Sequence, residues 1–114
     1  MECLREQLKV LSKRHSLELV NLLLDGPRYI SQISEDLMLP YTTAQQRVSE
    51  LERAALVDVV SSVDEASKRA IRLVRLKNFR IELSPRSIKT LVGGEDGRDL
   101  RVVYPKRKVN VAVN

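Results

Sequence analysis

Pro27 and Pro40 constrain this chain more than any other residues, because proline breaks a helix interior and pushes the residue before it toward extended angles. A helix between them is held to about two turns, and the segments on either side must be separate elements. Asp25-Gly26-Pro27 closes the preceding segment, pairing a residue that tolerates left-handed angles with one that cannot continue a helix. That segment carries a wide apolar face of Leu17, Val20, Leu23 and Leu24, with Ser12 as its expected N-cap. Upstream, Leu4, Leu8 and Leu11 share one face of a further short helix, either separate or continuous through a bend.

Between the prolines, Ser31 is expected to cap a short helix with Ile33 and Leu37 one turn apart on its buried side. Met38-Leu39-Pro40 ends it. The next helix is predicted from about Tyr41 to Ala54, where Ala44, Val48, Leu51 and Ala55 form a narrow inner stripe at i, i+4, i+7 and i+11. Val57 to Val60 and Arg69 to Leu76 are predicted strands, with the polar stretch Ser61 to Lys68 as a hairpin tip. Phe79, Ile81 and Leu83 alternate with Arg80 and Glu82, which predicts a further extended piece. Ser84-Pro85 opens a last short helix with Ile88, Leu91 and Val92 inward, and the glycine-rich stretch 93–97 breaks the chain after it.

Helix, short helix, tight turn, helix and hairpin, in that order, predict an α+β fold that is mainly α: a winged helix-turn-helix with a two- or three-stranded antiparallel wing and a C-terminal helix. Residues 1–94 are read as that domain with terminal dimerisation helices, and 95–114 as a basic arm or an added strand. The chain of 114 residues is long enough for one modest core. Its net charge of +5 favours a polyanionic partner. No apolar run approaches the roughly 20 residues that cross a bilayer, and the first residues lack a signal peptide's apolar stretch, so a cytoplasmic location is expected. Cys3 stands alone and His15 has no partner in sequence, so no disulfide, metal or cofactor is expected. There is no glycine-rich phosphate loop and no Ser-His-Asp set, so an enzyme is not expected. Four aromatic residues are too few to stack single-stranded nucleic acid.

The stretch from Leu11 through Leu17-Glu18-Leu19-Val20-Asn21-Leu22-Leu23-Leu24 to Gly26-Pro27 resembles the opening helix of ArsR-like transcriptional regulators, and Ile30 to Val57 continues the resemblance. It ends in Leu51-Glu52-Arg53-Ala54-Ala55-Leu56-Val57, which looks like that family's Leu-x-x-x-Gly-Leu-Val, and it covers roughly residues 11 to 92. The chain departs from the family at Ser16, commonly arginine, at Lys13-Arg14, commonly Asp-Pro, and at Met38 and Ala55, usually glycine. The resemblance implies a homodimer formed through the terminal helices, with the stripes Leu4, Leu8, Leu11 and Ile88, Leu91, Val92 packed on a second copy. Family members often sense metals near the recognition helix, but 30–37 holds neither cysteine nor histidine, and metal sensing is not expected.

With the inner stripe facing the core, a rotation of about 100° per residue puts Thr42, Gln46, Ser49 and Arg53 on the opposite face of the helix from about Tyr41 to Ala54, flanked by Thr43 and Gln45. These side chains suit major-groove reading of double-stranded DNA: Gln pairs with adenine, Thr meets the thymine methyl, Arg holds guanine or phosphate. Tyr41 and the first-turn amides would lie near the backbone. Lys68, Arg69, Arg72 and Arg75, on or beside the hairpin, would neutralise flanking phosphates. Glu50 and Glu52 are expected to point away from a duplex, and Asp64 and Glu65 to keep the hairpin tip out of a minor groove. The alternative readings are a solvated polar helix face and a winged helix that binds protein instead of DNA.

Overall fold

A computed structural model describes residues 4–93; the expectations for Cys3 and for 95–114 lie outside them. The elements are α1 (Leu4–Leu11), α2 (Ser16–Leu23), β1 (Arg28–Tyr29), α3 (Ile30–Asp36), α4 (Tyr41–Arg53), β2 (Val57–Val63), β3 (Ala70–Leu76) and α5 (Pro85–Gly93). Among the described residues the fold is α+β, with five helices and one three-stranded antiparallel sheet of order β1-β3-β2. Contacts divide the chain into two units, Met1–Phe79 and Arg80–Asn114. No described helix is long and apolar enough to cross a membrane.

The first two helices are separate, and Ser12 does not cap the second. Its hydroxyl donates backward to the Lys9 carbonyl at 2.8 Å, while α2 starts four residues later, behind His15 in a left-handed conformation (φ 74°). Ser16, fully buried, donates its hydroxyl to the Val10 carbonyl at 2.6 Å, supplying a partner at the end of α1 where helix carbonyls lack one. Gly26, at φ 133°, takes the terminating role expected of it. Two residues beyond the proline stop form β1, which pairs Arg28 with Val74 and Tyr29 with Leu73. The cap of α3 also shifts: the helix starts at Ile30, and Gln32 Oε1 accepts the Tyr29 N–H at 2.8 Å, so Ser31 lies inside it.

Helices α3 and α4 end alike. After α3, the Leu39 N–H reaches the Ser34 carbonyl (2.9 Å) and the Met38 N–H reaches Glu35 (3.2 Å); after α4, Leu56 reaches Leu51 (3.0 Å) and Ala55 reaches Glu52 (2.9 Å). Both are Schellman closures, whose left-handed position normally goes to glycine. Here it is filled by Met38 (φ 55°) and Ala55 (φ 63°). Ala55 therefore leaves the inner stripe, and Ala54, 3% exposed, takes its place.

Twelve apolar side chains form the buried cluster, drawn from all three sheet-adjacent helices and the sheet: Leu19 and Leu23 of α2, Ile30 and Ile33 of α3, Ala44, Val48 and Leu51 of α4, and Val57 and Val74 of the sheet, with Val10, Ala54 and Leu56. In α1 the buried residue is Val10, and Leu4, Leu8 and Leu11 are half-buried. The hairpin runs further than expected, pairing Val57 with Leu76 through to Val63 with Ala70, so Ser61 and Ser62 are strand residues. The predicted extended piece at Phe79–Leu83 forms no strand among the described residues: the Phe79 N–H turns back to the Lys77 carbonyl at 2.9 Å, and Phe79 packs on the cluster.

In the second unit, Ser84 and Pro85 open α5 as expected, Ser84 N–H donating to Ser87 Oγ (2.7 Å) and Ser87 N–H to Ser84 Oγ (3.2 Å). Ile88 and Val92 are exposed, contrary to the inward face predicted for them, and Leu91 is half-buried.

A side chain in the left-handed region costs about 1–2 kcal/mol, against roughly 0.4–1 kcal/mol for the extra freedom glycine brings to the unfolded chain. Met38→Gly and Ala55→Gly should therefore each raise stability by about 0.5–1 kcal/mol. Urea denaturation measures this; an unchanged or lower midpoint in both variants contradicts it.

Candidate nucleic-acid interface

Burial of Ala44, Val48 and Leu51 fixes how α4 is turned about its axis. Tyr41, Thr42, Gln46 and Arg53 are exposed as a result, and Thr43, Gln45 and Ser49 are half-buried at the margins. The helix starts behind Pro40 with no side-chain hydrogen bond at its N-cap, so its first N–H groups have no side-chain cap. Glu52 is exposed on a flank of α4, whereas Glu50 is turned to cations within the protein.

The hairpin brings two arginines toward the start of α4. Side chains two residues apart on a strand share a face, so Arg72 lies on the same side of β3 as the buried Val74 and extends that face beyond the core. An open groove of about 360 Å³ results, lined by Tyr29, Ser31, Tyr41, Asp64, Arg69 and Arg72 among others. Arg75 lies on the other face, 4.0 Å from Asp58, which also receives Lys77 at 3.9 Å. Lys68 is exposed at the tip (φ 61°), outside the groove lining.

Asp64 organises that tip. Its Oδ2 accepts the Ser67 hydroxyl (2.6 Å) and N–H (3.2 Å), and its backbone carbonyl accepts the Lys68 N–H at 2.7 Å. The hydrogen bonds from Ser67 hold its carboxyl below the usual aspartate range. Glu65 is exposed beside it.

Sequence reasoning missed the contact that ties α4 to the α1–α2 turn. Glu50 Oε2 lies 3.1 Å from Lys13 Nζ, Arg47 pairs with the other oxygen of Glu50, and Arg47 Nε donates to the Arg14 carbonyl at 3.1 Å. Glu50 and Arg47 each have 13% of their side-chain surface exposed. The i, i+3 spacing of Arg47 and Glu50 was a visible signal for their own pair, but nothing local marks Lys13, 37 positions away. Burial would raise the Glu50 pKa; hydrogen bonds and charge from Lys13 and Arg47 outweigh it and hold the carboxyl below the usual glutamate range.

A lowered folded-state pKa means that the carboxylate contributes stability above its unfolded pKa and loses it as pH falls through the folded value. Parent protein should therefore exceed Glu50→Gln in stability near neutral pH, with the gap closing at acid pH below the ordinary glutamate value. Thermal denaturation across pH checks this, and a gap that widens on acidification contradicts it.

Among the described residues, no group of three or more His, Cys, Asp or Glu side chains is arranged to hold a metal ion. No protein-family model, curated protein or solved structure matches the chain.

Proposed function

We propose that this chain is a winged helix-turn-helix protein that binds double-stranded DNA sequence-specifically as a transcriptional regulator of the ArsR-like kind. In this reading α3, the Met38 turn and α4 are the helix-turn-helix, α4 enters the major groove, and the β2–β3 hairpin is the wing on the phosphate backbone. The observation that carries it is the juxtaposition of a polar, exposed stripe on α4 with a groove holding Arg69 and Arg72 at the start of that same helix.

Each residue then has a role that its chemistry supplies. The Gln46 amide makes a bidentate pair with adenine, Thr42 and Ser49 meet base edges or the thymine methyl, and Arg53 takes guanine or phosphate. Arg69 and Arg72, with the Tyr41 hydroxyl beside them, hold a phosphate, and Lys68 adds charge at the tip. Thr43 and Gln45 support the margins of the stripe. The protein acts by binding in the cytoplasm, without catalysis or a cofactor. A two-fold homodimer, to which the exposed Ile88 and Val92 of α5 would contribute, sets two α4 helices on a palindromic site one DNA turn apart.

Exposed Met38, Val60 and Val63 favour a second reading, in which the same domain contacts protein. Selection from a random duplex library across a salt series separates the two. The DNA reading predicts an enriched palindrome whose binding weakens steeply with salt. Gln46→Ala should lose about 1–3 kcal/mol of discrimination at one base pair of each half-site, and Arg72→Ala should weaken all duplexes alike and lower the salt slope by about 1 for each protomer bound. No retention on any duplex at low salt, with salt-independent capture of a protein partner, would move the second reading into first place.

A further inference from the structure

The outward stripe of α4 is bordered on both flanks by basic residues, and the groove beside the hairpin accounts for one flank only. Counted from Tyr41 at about 100° per residue, Glu50 lies half a turn around the helix and Arg47 about 120° away, with Gln46 between the two flanks. Tyr41 faces Arg69 and Arg72. Glu50 and Arg47 face the α1–α2 turn, through Lys13 Nζ at 3.1 Å and the Arg14 carbonyl at 3.1 Å. The turn and the hairpin therefore stand on opposite sides of the stripe.

That turn is built to hold its shape. The Lys13 N–H donates to the Val10 carbonyl (3.1 Å), the Ser16 N–H to Lys13 (3.2 Å) and the buried Ser16 hydroxyl to Val10, while His15 holds a left-handed conformation. Lys13 and Arg47 pair with the Glu50 carboxylate, Arg14 adds a further positive charge, and Glu6 and Glu18 line the surfaces on either side of the turn. The Arg14 side chain is exposed, and among the described residues no carboxylate pairs with it.

A helix seated in a major groove about 12 Å wide has a phosphate backbone on each side. We infer that Arg14, with Lys13 beside it, holds a phosphate of the backbone opposite the one held by Arg69 and Arg72, so that the two edges clamp the groove around α4. This rests on the DNA reading of α4.

The test compares parent, Arg14→Ala, Arg14→Lys and Arg72→Ala on one mixed-sequence duplex, by affinity across a salt series and by phosphate-ethylation interference. Losing one phosphate contact lowers the log–log salt slope by about 0.9. Over a fourfold rise in salt the parent should then lose about 3.5-fold more affinity than Arg14→Ala for each protomer bound, about 12-fold for a two-fold dimer, with Arg14→Lys keeping the parental slope. Interference should disappear in Arg14→Ala at phosphates distinct from those relieved in Arg72→Ala. A parental slope in Arg14→Ala, or relief at the same phosphates as Arg72→Ala, overturns the clamp and leaves the DNA reading standing. A parent that binds no duplex at any salt overturns both.

Discussion

Ala44, Val48 and Leu51, each 2% exposed or less, decide which way α4 is turned. Burying a side chain of valine or leucine size stabilises by roughly 1.5–3 kcal/mol, so rotating the helix by even one residue would expose two such groups and bury polar ones without partners. The outward stripe is thus a consequence of the inward one. The sheet imposes a matching constraint: Val57 and Val74 must face the core, and a slip of one residue would exchange the faces carrying Arg72 and Arg75.

Position along the axis is set by the helix ends. Both Schellman closures place a side chain where glycine is at ease, so the boundaries on either side of α4 carry modest strain that the buried cluster holds in place. The Lys13–Glu50–Arg47 group works at right angles to that constraint, fastening the flank of α4 to the α1–α2 turn. Because Glu50 is spent on two cations within the protein, a carboxylate on this helix is kept from repelling a polyanion.

Much of this was legible in the residues. Periodicity located α4 and its inner stripe because Ala44, Val48 and Leu51 repeat at helical spacing with few competing apolar neighbours. Gly26 and the prolines marked the C-terminal end of α2 and the start of α4, and Ser84-Pro85 marked α5, since capping chemistry is local. What depended on distant partners was hidden. The two residues of β1 become a strand only because β3 lies alongside, and Ser61 and Ser62 join the hairpin because Arg72 and Ile71 face them across it. Ser12 looks like a cap, but the buried Ser16 decides where α2 begins. Met38 and Ala55 stand where the resemblance implied glycine, and the backbone holds the left-handed angle at both. At the candidate interface, the exposed face of α4 followed from helical rotation; which of the hairpin cations, Lys68, Arg69, Arg72 and Arg75, line the groove depended on the fold, as did the contact between Lys13 and Glu50.

In the proposed reading, the outward stripe of α4 reads a duplex while the hairpin and the α1–α2 turn sit on its two backbones. Amide chemical shifts followed during titration with the selected duplex test it most directly. Perturbations should concentrate at Thr42, Gln46, Ser49 and Arg53, at Arg69 to Arg72, and at Lys13 to His15, with Asp58 and Arg75 on the other face of the sheet unmoved. Perturbations confined to the outer face of the sheet, or none on α4 at saturating duplex, would contradict it.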